Sequence, residues 1–374
     1  MKHGKKPAGG PLEGKSRRIQ SLILPVLMGL ALFGCQGGPP AADPELSGAM
    51  DKTLNPQAEA LVRTGILHHD QGYYETALEY YRNALELAPD HPVIYYEMAF
   101  AYIAMGENQS ALELADKGLV AAGARDMDEI IPTLLDLKGS ALDNLGRSDE
   151  AIETYLTAIN QYEVANTLLY FNLGLSYYRI EKRDEARETL VKGLRLNPNH
   201  PSSNYLLGRI CMEGGEKTQA FYALCYFLLL EPNTERAAEA YNTILYMLDR
   251  QEEAIGVRNN GAFTASDMII SLSFTLDEAN AGKSDAEKFQ AKLYYVITNL
   301  EEQKNSGKIG RGDGDELWWD YYSPFFYRIA KSERFGTFCR YIGITSDPEA
   351  NEWIQTGRDE IEGFFEWLNE YPDS

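Results

Sequence analysis

Small apolar residues set a rhythm along this chain. Ala77, Ala111, Ala151, Ala186 and Ala220 recur at intervals of 34, 40, 35 and 34 residues, and twelve residues before each stands a second small residue: Gly65, Ala99, Gly139, Gly174 and Gly208. Bulky residues fill the positions beside them, among them Tyr81, Tyr95, Tyr102, Tyr155, Tyr170, Leu173 and Tyr177. Two helices approach closely only where side chains are small, so each pair of columns predicts an antiparallel helical hairpin. Four units carry a glycine five residues before the alanine (Gly72, Gly106, Gly146, Gly215), which suits the connecting turn. Pro89, Pro198 and Pro232 close three of the second helices, because proline cannot extend the hydrogen-bond ladder. A period near 34 is what stacked hairpins produce.

Over about residues 58–234 these columns together resemble the tetratricopeptide repeat (TPR). The resemblance implies an all-α fold, a TPR α-solenoid of about five helical hairpins. Three departures carry expectations of their own. The third unit starts about six residues late, after 122–128, which predicts a bend or a small loop. Glu181 stands where the other units have a turn glycine. Phe227 stands where its counterparts are Ala84, Gly118, Ala158 and Gly193, which predicts wider spacing to the next segment of the chain. A helix over about 235–250 is expected to cap the array, so residues 57–250 form one unit.

Ahead of the repeats, Lys2, Lys5, Lys6, Lys15, Arg17 and Arg18 precede an uncharged run from Ser21 to Gly34 that ends Leu32-Phe33-Gly34-Cys35. A basic start, a short apolar run and small residues before a cut read as an export signal over residues 1–34. The last four residues resemble a bacterial lipobox, which implies lipid attachment at Cys35; ordinary cleavage beside a cysteine is the alternative. Gln36 stands where the family's sorting rule would place Asp for inner-membrane retention, so the resemblance implies the outer membrane; the periplasmic side is the leading expectation for the folded part, with the cell exterior left open by the sequence. Residues 35–56 are rich in Gly, Pro and Ala without periodicity and read as a lipidated flexible tether, with a span of roughly 25 Å.

The composition changes after the array. Residues 251–374 hold all four tryptophans, with helical patterns at about 265–281, 285–304 and 348–371 and a Ser284–Glu287 capping box opening the second. The Leu317 to Tyr327 segment is the most aromatic in the chain. This part is expected to be an aromatic-rich all-helical C-terminal region that packs on the last repeats, with Pro324 breaking the helix of the aromatic segment.

Charge and chemistry narrow the function. The formal net charge is −21, and since residues 1–34 carry six basic residues and one acid, the chain from Cys35 onward carries about −26. Such a surface repels nucleic acid and anionic headgroups. His68, His69, His91 and His200 sit in repeat turns and helices, and their spacing is not that of metal ligands. Gly282-Lys283-Ser284 lacks the earlier glycine of a phosphate loop, and the Arg-Gly-Asp in 310–315 reads as a solvated loop. Cys211 and Cys225 lie on the two helices of one hairpin and could approach, yet both occupy buried-type positions that favour free core thiols over a disulfide. No catalytic residue, cofactor or metal is expected.

A binding surface remains. In the TPR family the first helices line a concave groove, and transferring its positions implies Tyr96, Phe100 and Ile103 in the second unit, Phe171, Leu175 and Tyr178 in the fourth, and Tyr205, Arg209 and Met212 in the fifth. The third unit offers Asp136, Ser140 and Asp143. An aromatic groove with an acidic midpoint suits a protein or peptide partner with apolar and basic residues; the alternative is that these aromatics are packing between repeats, or are covered by the chain itself. The leading expectation is a non-enzymatic outer-membrane lipoprotein that scaffolds an envelope assembly, in pilus or secretion, outer-membrane protein assembly or cell-wall machinery. The alternative is an envelope enzyme whose active site lies in residues 251–374, which a cluster of perturbed acids in an open cleft beside Trp318 and Trp319 would favour.

Overall fold

The computed structural model describes residues 54–162, 166–249, 265–309 and 316–370. The export signal, Cys35, most of the tether and the 310–315 loop lie outside these residues. Five hairpins stack in order: α1 (Pro56–Asp70) with α2 (Tyr74–Leu87), α3 (Pro92–Ala104) with α4 (Asn108–Ala124), α5 (Ile131–Asn144) with α6 (Ser148–Tyr162), α7 (Thr167–Arg179) with α8 (Arg183–Leu196), and α9 (Pro201–Gly214) with α10 (Lys217–Leu230). Among the described residues there is no strand.

The small-residue columns mark the closest helix contacts. A Cβ on Gly65 would lie 2.3 Å from Tyr81, on Gly139 2.4 Å from Tyr155, and on Gly208 2.6 Å from Leu224, so only hydrogen fits there. In the second hairpin the equivalent pair is Ala99 and Ala115, both fully buried, and the two alanines share the space that glycine and tyrosine divide elsewhere. The turn glycines 72, 106, 146 and 215 take φ of 79°, 78°, 76° and 83°, and Glu181 takes the same left-handed turn at φ 62°. The departure at position 181 therefore changes the strain of the turn and leaves its shape intact. The late third unit is a loop: α4 runs on to Ala124, and a 3₁₀ turn (Asp128–Ile130) leads into α5. Arg125 secures it by donating to the carbonyls of Asp90 (3.1 Å) and Pro89 (2.8 Å) in the preceding turn.

Helix α10 is buried almost all the way round, from Lys217 to Leu229. It has no polar face to show water, so other elements must surround it. Helix α11 (Glu235–Asp249) is the next helix of the stack, and the chain continues through α12 (Ala265–Leu272), the short α13 (Leu276–Ala279), α14 (Asp285–Asn305), a π-helix (Leu317–Tyr322), α15 (Ser323–Ala330), α16 (Phe335–Gly343), α17 (Pro348–Trp353) and α18 (Arg358–Glu370); of these α12, the π-helix, α15 and α16 pack on α10. Position 227 has Phe because the fifth hairpin is not succeeded by a sixth standard one: its ring packs 5.0 Å from Tyr205 and under the Arg236 guanidinium of α11 at 5.5 Å. Asp267 of α12 caps α10 from outside, accepting from the Thr218 backbone N–H and hydroxyl, each at 3.0 Å.

The aromatic segment docks on α10, but without the expected break. Tyr222 donates to Ser323 Oγ (2.9 Å), Tyr226 and Tyr321 share a hydroxyl contact (2.9 Å), and Tyr322 donates to Asn204 Oδ1 (2.5 Å). Pro324 is absorbed where the π-helix passes into α15: the Ser323 N–H reaches back five residues to the Trp318 carbonyl, and the chain continues helical. In that register the missing N–H of Pro324 would have met the Trp319 carbonyl, which instead accepts from Lys304 Nζ at 2.9 Å. Lys304 pairs with Glu301 at 2.6 Å, and Glu301 accepts from Ser323 Oγ at 2.6 Å, so a buried polar chain runs from Tyr222 to the proline.

Two other expected helices are divided. The 265–281 segment is α12, a 3₁₀ turn and α13; the last one splits into α17 and α18 because Gly357 lies under the Trp353 ring, 2.3 Å from a would-be Cβ. Helix α16, for which the sequence pattern makes no prediction, fills the core beside α10. Buried side chains fall into two clusters. One joins Leu54 to Leu173 and the other joins Ala186 to Leu368, so the fourth hairpin contributes α7 to the first and α8 to the second.

Candidate groove on the first helices

The residues assigned to the groove gather in three groups. On α3, Tyr96 and Phe100 stack with centroids 6.1 Å apart, His69 from α1 stacks on Phe100 at 4.8 Å, and Ile103 lies half-buried nearby. On α7, Phe171 tilts against His200 at 5.2 Å, with Leu175 half-buried one turn on. At the α7–α9 junction the Arg209 guanidinium lies 6.0 Å from the Tyr178 ring and 5.8 Å from the Tyr205 ring. Met212 packs on the second core cluster.

These side chains differ in what they present. Tyr96, Phe100, Ile103, Phe171, Leu175 and Tyr178 are half-buried, and Arg209 is exposed. Tyr205 is only 8% exposed, so it supports the surface more than it forms it. The Tyr178 hydroxyl donates to Glu213 Oε1 at 2.6 Å and the Tyr205 hydroxyl to Glu239 Oε2 at 2.5 Å. Burial first and then the Glu239 carboxylate push the Tyr205 phenol up to about 12, so it stays a donor. His69, Glu213 and Glu239 fall outside the positions that the family pattern singles out. The repeat spacing itself is the signal that finds the two acids, since Glu213 and Glu239 stand 35 and 34 residues beyond the tyrosines they hold.

The acidic midpoint is largely spent on the fold. Asp143 is buried, accepts from Ser148 Oγ (2.5 Å) and Ser176 Oγ (2.9 Å), and is ion-paired with Arg179. Ser140 shares a hydroxyl contact with Tyr155 at 3.2 Å. Asp136 is half-buried and accepts from Asn172 at 2.8 Å; desolvation, opposed by that bond, pushes its carboxyl up to about 6. The acidic midpoint therefore gives less support to a basic partner residue than the sequence positions imply, because Arg179 is already ion-paired with Asp143.

The remaining chemistry is structural. Ser284 and Glu287 form the capping box of α14, and the His200 ring caps Ser203. Cys211, Cys225 and Cys339 are free and buried, with burial pushing each thiol upward. Among the described residues no group of three His, Cys, Asp or Glu side chains is placed to hold a metal ion, and no helix is long and apolar enough to cross a membrane. Trp318 and Trp319 are 4% and 3% exposed and belong to the dry core on α10.

This stack of hairpins has the architecture of an α-solenoid, and the comparisons identify its repeats. Family models described as tetratricopeptide repeat match residues 36–92, 68–125, 132–163 and 167–200. The chain carries tetratricopeptide repeats. The BBSome complex member BBS4 homolog of Drosophila melanogaster is 26% identical over 208 residues, 52% of this chain and 39% of that protein. The Hsp70-Hsp90 organizing protein of Triticum aestivum is 30% identical over 129 residues, 31% of this chain and 22% of that protein. The matches thus span well under half the length of these relatives. The solved structure of Pseudomonas aeruginosa pilF is similar over 66% of this chain and 99% of that one, at 20% identity and a TM-score of 0.44.

Proposed function

We propose that this chain is a lipid-anchored scaffold of the bacterial outer membrane whose repeats hold a segment of a partner protein in the periplasm. The observation that carries this reading is the row of apolar and aromatic side chains on α3 and α7, whose rings are held by ring contacts yet stay only half-buried. Groups of that kind bind an extended or helical segment at low entropic cost, because they are already ordered. The Hsp70-Hsp90 organizing protein is named for two protein partners, which fits a repeat array used for assembly. The envelope machine served is a pilus or secretion pore, outer-membrane protein assembly or cell-wall machinery. An open acidic cleft beside Trp318 and Trp319 would favour the enzyme reading; those rings are instead buried against Tyr222 and Tyr322, which supports the scaffold.

The test is a triple substitution of Tyr96, Phe171 and Tyr178 to serine, with a photo-crosslinker placed beside them in intact cells. Loss of the crosslinked partner with unchanged helicity and melting supports the groove; an unfolded triple mutant assigns those rings to the core. Anchoring is tested separately. Cys35→Ala should convert a detergent-extractable species into an unprocessed or soluble one, and equal membrane retention would remove the lipoprotein reading.

A further inference from the structure

Every other arginine of the third to fifth hairpins and α11 is committed to a carboxylate: Arg147 to Glu150, Arg179 to Asp143, Arg183 to Glu213, Arg187 to Glu216, Arg195 to Glu316 and Arg236 to Glu231. Arg209 is the exception. Among the described residues it has no hydrogen-bond or ion-pair partner, and it is exposed on the groove side of α9. It is nonetheless held in place, with its guanidinium near the Tyr178 and Tyr205 rings at 6.0 and 5.8 Å, and those rings are pinned by their bonds to Glu213 and Glu239. In a chain of net charge −21, an ordered arginine with its N–H donors unspent is an unused binding element.

From this geometry we infer that Arg209 reads a side-chain carboxylate, Asp or Glu, in the partner segment, and that the groove takes an apolar segment bearing an acid. This rests on the groove reading above and reverses the sign of the charge that the family positions alone imply for the partner. The planar fork of a guanidinium matches a carboxylate with two parallel hydrogen bonds, and the flanking tyrosines shield the pair from water on two sides. Glu213 feels the Arg209 charge but is not bonded to it: its carboxylate accepts from Tyr178 and is paired with Arg183 at 3.1 Å, while Glu239 accepts from Tyr205. At the other end of the groove Tyr96, Phe100 and Ile103 provide the apolar contact.

The experiment uses the full chain in detergent and fluorescein-labelled, C-terminally amidated dodecapeptides of Ala, Ser, Leu and Tyr, with one position varied among Glu, Gln and Lys. Anisotropy should show Glu peptides binding about tenfold more tightly than their Gln counterparts, and Lys peptides most weakly. Arg209→Gln should erase the Glu preference, so that Glu and Gln peptides bind alike, while leaving the melting temperature unchanged. Arg209→Lys should restore only part of it, since an ammonium lacks the fork. Binding without a Glu preference, or a preference that survives Arg209→Gln, overturns this inference and leaves the groove standing. If no peptide of the set binds, the groove reading falls and takes the inference with it.

Discussion

Helices α8 and α10 occupy the same place in successive hairpins, yet one faces water and the other faces nothing but protein. The α8 sequence, RDEARETLVKGLRL, alternates a small apolar stripe with exposed Arg183, Asp184, Glu185, Glu188 and Lys192. The α10 sequence, KTQAFYALCYFLLL, keeps the same alanine column at Ala220 but has no charged residue after Lys217. The repeat columns fix how each hairpin closes on itself. The outer face of the second helix decides its surroundings: a charged face ends the protein at solvent, and an apolar one demands a cover. Here the cover comes from α12, the π-helix, α15 and α16 of the C-terminal region, and the array ends inside a core instead of at a polar cap.

Removing that cover should have the largest effect of any change. Truncation after Asp249 strips α10 of the contacts that bury Tyr222 and Tyr226, which include Trp319, Tyr322, Phe325 and Phe326 at centroid distances of 5.0 to 6.3 Å. Each large side chain returned to water costs about 1.5–3 kcal/mol, so the fifth hairpin should melt early and the protein should aggregate, as seen by sedimentation and thermal circular dichroism. A soluble monomer with unchanged melting would break the comparison outright. A milder version is Tyr222→Ala, which loses the ring and the bond to Ser323 and should cost about 3–5 kcal/mol in chemical denaturation.

The second comparison is between the two core clusters, and pH separates them. Glu97 lies in the first, 5% exposed, with a long 3.4 Å bond from the Tyr81 hydroxyl. Desolvation pushes its carboxyl from an ordinary 4.5 up to about 8, so the folded protein keeps it neutral at pH 7 while the unfolded chain ionises it. The stability this gives is fully present below pH 4.5 and is lost as pH climbs to about 8. Glu97→Gln keeps the shape and removes the proton, so it should flatten that slope and raise stability at pH 8 by on the order of 3 kcal/mol. Urea melts of the two proteins between pH 5 and pH 8.5 would show it; parallel curves would mean that Glu97 is ionised in the folded state.

The array is legible in the sequence because its signal is steric and periodic. Gly65, Gly139 and Gly208 announce contacts that no other residue fits, and they repeat often enough to fix the register. The docking of the aromatic segment on α10 is legible for a related reason, since an apolar array end and an apolar segment of matching size need each other. Pro324 misleads because a local rule, that proline stops helices, is overridden by a wider turn with Lys304 ready to take the freed carbonyl. The acid at 143 misleads because its partner, Arg179, lies on the next hairpin, where no local pattern shows it. Groove positions can be assigned by register, whereas the state of each polar group there depends on neighbours 34 to 36 residues away.

The smallest expected effect falls at the seam between the clusters. Glu181 turns the chain from α7, whose buried residues belong to the first cluster, to α8, whose residues belong to the second. It does so at φ 62°, in the turn where the other four hairpins use glycine. A side chain in that conformation costs roughly 1–2 kcal/mol, whereas glycine there gives back only about 0.4–1 kcal/mol through a more flexible unfolded chain. Glu181→Gly should therefore stabilise the protein by about 0.5–1 kcal/mol, read as a higher denaturation midpoint with an unchanged slope. Gly146→Glu is the reciprocal change, and since a Cβ at Gly146 would meet nothing within 4 Å, it tests the backbone alone. It should destabilise by a similar amount. If both changes leave the midpoint where it was, the left-handed turn is not what distinguishes the fourth hairpin, and its place at the seam must be explained by packing across Gly174 and Leu190, where a Cβ would lie 2.9 Å from the leucine.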